Sequence, residues 1–176
     1  MNTLLNHDKY HDIISRNLHR ATYLYNIDYL ELPLIIIFKI SFMTDKILFV
    51  CVENAGRSIM AEAFFNKYAP KNFQPISAGT KPAPQVNQLV IQAMKEVGID
   101  ISLKKPQTLS KKMISKAKKT VNMGCMDKES CPALFSNDVI DWQIPNPKGQ
   151  SIEEIRKIRN QIDSKVKEFV SSLAES

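Results

Sequence analysis

Eight consecutive residues, Cys51-Val52-Glu53-Asn54-Ala55-Gly56-Arg57-Ser58, have types and spacing suited to nucleophilic chemistry on an anion. Cys51 closes an apolar run, and Arg57 follows after five intervening residues, where an amphipathic stretch begins. A loop of this length can wrap its backbone N–H groups around one tetrahedral oxyanion, and a helix N-terminus adds positive potential. The same donors stabilise a thiolate at Cys51 and make it a nucleophile near neutral pH. Arg57 offers a planar fork that matches two oxygens of phosphate or arsenate. Gly56 is expected to let the loop turn tightly, Asn54 to hold it by side-chain hydrogen bonds, and Ser58 to donate to the Cys51 sulfur. Val52, Glu53 and Ala55 complete the cradle. The bland alternative is a buried core cysteine with a surface arginine, and the placement between strand and helix argues against it.

The other cysteines are Cys125 and Cys131, and all three histidines (His7, His11, His19) precede residue 42. Ser-His-Asp and Cys-His catalysis are therefore excluded from the remainder. His7 and His11 stand at i, i+4, but no third ligand is suggested, so they read as surface residues and no metal site is expected. An odd cysteine count without a secretory signal reads as reduced, cytosolic, reactive thiols. Were Cys125 to Cys131 helical, their Cα atoms would lie ~9 Å apart, beyond the ~7 Å limit for a disulfide. Bridging them would require local unwinding. The residues alone leave two other readings open: packed small hydrophobes, or a zinc site that lacks enough ligands.

Short apolar runs alternate with amphipathic stretches from Lys46 onward, the pattern of βαβ units around a parallel sheet. Strands are expected at Lys46–Cys51, Phe73–Ala78, Lys119–Met123 and Val139–Ile144. Helices are expected at Ser58–Tyr68, Pro84–Val97 with a stop at Gly98, around Leu109–Lys118, and at Ser151–Leu173, whose Ile152, Ile155, Ile158, Ile162, Val166, Phe169 and Val170 fall at core-facing spacing. The stretch Leu30–Met43 is shorter than the ~20 residues of a membrane span and is interrupted by Glu31, Pro33 and Lys39. Residues 1–42 are expected to be an appended or mis-called leader or extension, with the domain running from 43 to 176.

The formal charge is +6, and residues 1–42 hold four basic and four acidic side chains, so the whole excess lies in residues 43–176. A basic domain suits an anionic ligand. Seven lysines lie between Lys104 and Lys119. Without interleaved aromatics for base stacking they read as a solvated face rather than a nucleic-acid surface.

The loop, its continuation Met60-Ala61-Glu62-Ala63-Phe64, Ser77-Ala78-Gly79-Thr80 and Lys95-Glu96-Val97-Gly98-Ile99-Asp100 resemble the low-molecular-weight protein tyrosine phosphatases and the arsenate reductases that share their fold. Met123-Gly124-Cys125, Cys131-Pro132, and Asp141-Trp142 followed by Pro147 and Gly149 are similar to the thioredoxin-coupled reductase branch. The resemblance spans about Lys46 to Phe169. It implies an α/β fold, a four-stranded parallel sheet flanked by helices on both faces, with the site at the carboxyl end of the first strand.

It also implies a reaction. Cys51 attacks arsenate; Cys125 attacks Cys51 as arsenite departs; Cys131 attacks Cys125, and a thioredoxin-like reductant opens the resulting disulfide. No metal or organic cofactor is required.

Three departures stand out. The family places an aspartate, as general acid, where this chain has Asn146, and an amide cannot supply that proton. Lys148-Gly149-Gln150 lacks the aromatics that flank a phenyl ring in the tyrosine phosphatases. Glu53 sets a carboxylate beside an anion site, which costs electrostatic energy. The first two favour the reductase, because arsenate can carry its own protons to the departing oxygen. A phosphatase working through a phosphocysteine and a non-enzymatic oxyanion or redox sensor are the alternatives.

Overall fold

The computed structural model describes residues 44–123 and 139–174. The expected leader at 1–42 with its histidines, and Cys125 and Cys131, lie outside these residues. Eight elements follow in order: β1 Asp45–Cys51, α1 Arg57–Tyr68, β2 Phe73–Gly79, α2 Gln88–Lys95, α3 Lys111–Lys116, β3 Ala117–Asn122, β4 Val139–Asp141 and α4 Ile152–Ala174.

The unbroken apolar run Ile47-Leu48-Phe49-Val50-Cys51 makes β1 a strand that can be covered on both faces, and its residues are 0–2% exposed. It takes the centre of a four-stranded sheet of order β2-β1-β3-β4, parallel throughout. Ile47, Phe49 and Cys51 face one side, packing with residues of α1, α2 and α4. Leu48 and Val50 face the other, with Ala78 and Ile114 of α3. Helices thus cover both faces of the expected parallel sheet. Phe49, Phe65, Trp142 and Phe169 form a chain of ring contacts with centroids 5.7–6.0 Å apart, tying β1, α1, the end of β4 and α4 together.

Because β2 and β3 flank β1 on opposite sides, the chain reverses its winding direction there. In open parallel sheets such a switch point leaves a crevice at the carboxyl ends of the strands. Cys51 is the last residue of β1, paired across from Gly79 at the end of β2.

Most limits shift from expectation by a residue or two, and at three elements the hydrogen bonds show why. α2 begins at Gln88 rather than Pro84, because Asn87 caps it by accepting from Leu89 N (2.9 Å). The residues before the cap bond to the Cys51–Ser58 loop instead. α3 is confined to Lys111–Lys116 by the Ser110 cap, whose Oγ accepts from Met113 N (3.2 Å); Ala117 and Lys118 belong to β3. β4 stops at Asp141 instead of Ile144. After Trp142 N reaches Asn122 O (2.7 Å), Ile144 N turns back onto Trp142 O (2.8 Å). Among the described residues no helix is long and apolar enough to cross a membrane.

Candidate active site

Cys51 leaves β1 only 2% exposed, and its sulfur meets two partners. Asn54 N–H donates to Sγ at 3.1 Å, and Ser58 Oγ lies 3.0 Å away. The loop between them bends through Asn54, whose φ of 48° is left-handed, a conformation asparagine tolerates better than most residues.

The proton directions around Asn54 follow from one fixed donor. Gln107 N–H can only donate, and it donates to Asn54 Oδ1 at 2.8 Å. The amide nitrogen of Asn54 is therefore the end that reaches Ser58 Oγ (2.8 Å) and Ser77 Oγ (3.0 Å). Ser58 Oγ keeps a second lone pair, so its 3.0 Å contact with Cys51 Sγ serves either proton direction, and in the nucleophilic form of Cys51 only Ser58 has a proton to give. Ser77 likewise donates onward, to Glu62 Oε2 at 2.5 Å. Lys104 Nζ closes the chain on Glu62 Oε1 at 2.5 Å. Asn54, Ser58, Ser77 and Glu62 are all buried, so each polar group needs these partners. The Asn54 N–H and the Ser58 hydroxyl thus both reach the sulfur just before the start of α1.

The loop is held from outside by the segment before α2. Lys81 N, Ala83 N and Asn87 N donate to Val52 O, Glu53 O and Ala55 O, each at 2.9 Å. The end of β2 fits so closely beneath that a Cβ on Gly79 would lie 2.5 Å from Val52 O. Gly56 acts differently from expectation. Its φ is −151°, so no left-handed turn calls for glycine; what matters is room, since a Cβ there would lie 2.7 Å from Pro147 Cγ.

Arg57 is the first residue of α1 and 6% exposed. Its Nη1 donates to Met123 O (3.2 Å) and Ile144 O (3.0 Å). The guanidinium is thereby fixed against the chain leaving β3 and β4, and Nε and Nη2 form the remaining edge of its fork.

Glu53 is compensated. Lys148 Nζ lies 2.5 Å from its Oε1. Asn146 is exposed, and its Oδ1 accepts from Lys148 N–H at 3.1 Å.

The structure thus brings together Cys51, Asn54, Ser58 and Arg57, with Val52, Glu53, Ala55 and Gly56 as the connecting backbone. Sequence reasoning gave no role to Ser77, Glu62, Lys104 or Gln107. An acidic Glu62 within the apolar run Ile59–Phe65 was the available signal, because a buried carboxylate demands a partner. Of the seven lysines from 104 to 119, Lys104 and Lys118 are paired with Glu62 and Asp45.

Residues 46–176 match the family model described as low molecular weight phosphotyrosine protein phosphatase. An arsenate reductase of Halalkalibacterium halodurans is 33% identical over 138 residues, covering 74% of this chain and 99% of that one. Among solved structures, the Corynebacterium glutamicum thioredoxin-dependent arsenate reductase is 31% identical, with a TM-score of 0.64 over 78% of this chain and 65% of that one. A mutant of YwlE from Bacillus subtilis superposes with a TM-score of 0.68 over 74% of this chain and 99% of that one. At 22% identity it is a likeness of fold alone.

Proposed function

Because the chain belongs to the low molecular weight phosphotyrosine protein phosphatase family, we propose that it uses this fold as a thiol-dependent arsenate reductase. The observation that carries the reading is the pair of hydrogen-bonding partners at Cys51. Asn54 N–H donates to the sulfur, and Ser58 Oγ lies 3.0 Å away, placed to donate to its nucleophilic form, so the nucleophile is prepared. Asn146, by contrast, has no proton to give a leaving alcohol and holds Lys148 N–H with its oxygen. Arsenate needs the first feature and not the second, since its own hydroxyl leaves as water.

In the first step Cys51 sulfur attacks arsenic, forming an S–As bond as a protonated oxygen departs. The Nε and Nη2 edge of Arg57 and the loop amides hold the remaining oxygens. Cys125 thiolate then attacks Cys51 Sγ. The S–As electron pair passes to arsenic, which leaves as arsenite, and a Cys51–Cys125 disulfide remains. Cys131 attacks Cys125 and releases Cys51 as a thiolate. The Cys125–Cys131 disulfide is reduced by a thioredoxin-like dithiol. The cycle needs no metal or organic cofactor and belongs in a reducing, cytosolic compartment.

A paired assay tests this reading: arsenate-dependent oxidation of a thioredoxin system, beside hydrolysis of an aryl phosphate. Arsenate turnover with little hydrolysis is expected. Hydrolysis without arsenate turnover would move the protein to the phosphatase branch, and neither activity to an oxyanion or redox sensor.

A further inference from the structure

A carboxylate on an anion-binding loop is a liability. Glu53 is the third residue of the Cys51–Ser58 loop, and its side chain is 35% exposed, so it stays in partial contact with water. The approach of a doubly charged oxyanion to Cys51 is opposed by it. The answer lies on a turn that is far away in sequence but docked on the same loop.

That turn, Ile144–Gln150, is fastened by contacts independent of Glu53. Ile144 O accepts from Arg57 Nη1 at 3.0 Å. Pro147 is buried, packed where any side chain on Gly56 would stand. Within the turn, Asn146 Oδ1 accepts from Lys148 N–H, Gln150 N donates to Pro147 O at 3.3 Å, and Gly149 takes a φ of +74°, which favours glycine. The turn therefore presents Lys148 to the loop whether or not an ion pair forms. Its ammonium then meets Glu53 at 2.5 Å.

We propose that Lys148 is a specificity-determining residue of the oxyanion site, cancelling the Glu53 carboxylate so that the loop accepts a small, doubly charged oxyanion. Asn146 is a positioning residue for Lys148, which gives the amide at that place a task other than proton donation. The pair contributes little to folding, since exposed ion pairs rarely do; its effect falls on the charge met by the ligand. The inference rests on Cys51–Ser58 being an oxyanion cradle.

The test uses the full chain and inorganic phosphate, read as protection of Cys51 from iodoacetamide by mass spectrometry. Lys148→Gln is expected to raise the half-protecting phosphate concentration ~3- to 10-fold at low salt. Glu53→Gln, which leaves the ammonium uncancelled, is expected to lower it. The double variant should return to within ~2-fold of the unmutated protein, because the two lost charges are opposite and cancel. Lys148→Arg should restore protection, and 1 M salt, an added condition at which screening extends only ~3 Å, should shrink the differences. A purely structural loss would show neither the opposite sign of Glu53→Gln nor the salt effect. Equal protection in Lys148→Gln and the unmutated protein, or a double variant as weak as Lys148→Gln alone, overturns the proposal and leaves the cradle standing. No protection by phosphate in the unmutated protein overturns both.

Discussion

Lys104 lies four hydrogen bonds from Ser58, yet removing its charge should slow Cys51. In Lys104→Gln, Glu62 loses the cation 2.5 Å from its Oε1. Breaking a fully buried pair costs ~3–5 kcal/mol. Here the Glu62 side chain is 11% exposed but that of Lys104 is 42% exposed, so water replaces part of the loss and about 1–2 kcal/mol of stability is expected. The chemical effect runs through Ser77. Without its cation Glu62 is no longer anchored, so the Ser77 hydroxyl that donates to it and the Asn54 amide that bonds both serines are held less firmly. A hydrogen bond to a charged group is worth ~1.5–3 kcal/mol, which sets the ceiling reached in Ser58→Ala. That variant should cut Cys51 alkylation at pH 6 by ~10- to 100-fold, at about 1.4 kcal/mol per tenfold. Lys104→Gln should lose a fraction of this, ~3- to 10-fold, and Lys104→Arg should recover it. The assay is the rate of iodoacetamide labelling of Cys51 at fixed mildly acidic pH, with melting temperature recorded alongside. Unchanged labelling in Lys104→Gln, with a melting temperature that falls, would refute the relay and leave the ion pair a purely structural one.

If the second cysteine pair resolves the adduct, Cys125→Ser should abolish multiple turnover of arsenate, and Cys131→Ser should stop after about one turnover at a Cys51–Cys125 disulfide detectable by mass spectrometry. Asn146→Asp keeps an acceptor for Lys148 N–H and adds a carboxyl, so aryl phosphate hydrolysis should rise by up to ~10²-fold; no rise would mean that the turn does not face the leaving group. Gly79→Ala places a methyl group against Val52 O and Asn54 N; about 1–3 kcal/mol of destabilisation should accompany loss of phosphate protection at Cys51. Deletion of residues 1–42 should leave the melting temperature and oxyanion protection unchanged, because β1 starts at Asp45; a fall of several degrees would show that the segment docks on the domain.

What the sequence revealed readily was local. An apolar run long enough for a strand covered on both faces, followed by Cys51 to Ser58, specifies β1, the loop and the start of α1 with little help from the rest of the chain. Pro84 looked like a first helical residue. The backbone donors at 81, 83 and 87 are instead drawn to the carbonyls of the loop, a tertiary demand that no periodicity displays. The boundary between α3 and β3 was hidden for a related reason: Ala117-Lys118-Lys119 suits either state, and pairing with β1 decides it. Gly56 was read as a turn residue, but its neighbour Pro147 is 91 positions away in the chain. The partners of Glu62 are also distant in the chain, at 15 and 42 positions.

These distant contacts converge on Asn54, and its chemistry explains why an amide and not a carboxylate belongs there. Its backbone N–H serves the sulfur, its Oδ1 accepts from Gln107 N, and its Nδ2 donates to two serine hydroxyls. An aspartate could take the same left-handed backbone and the same bond from Gln107. It would then present an acceptor to both serines, and Ser58 would satisfy it by turning its proton away from Cys51. A second negative charge beside the thiolate would add repulsion to the lost donor. One substitution of a single atom would thus reverse the polarity of the site without disturbing the loop that carries it. The arrangement depends on a donor whose orientation is fixed by Gln107, a residue of the segment between α2 and α3 that bonds Ser77 O through its own side chain at 2.7 Å. The nucleophile is therefore prepared jointly by the ends of β1 and β2 and by the 104–107 segment.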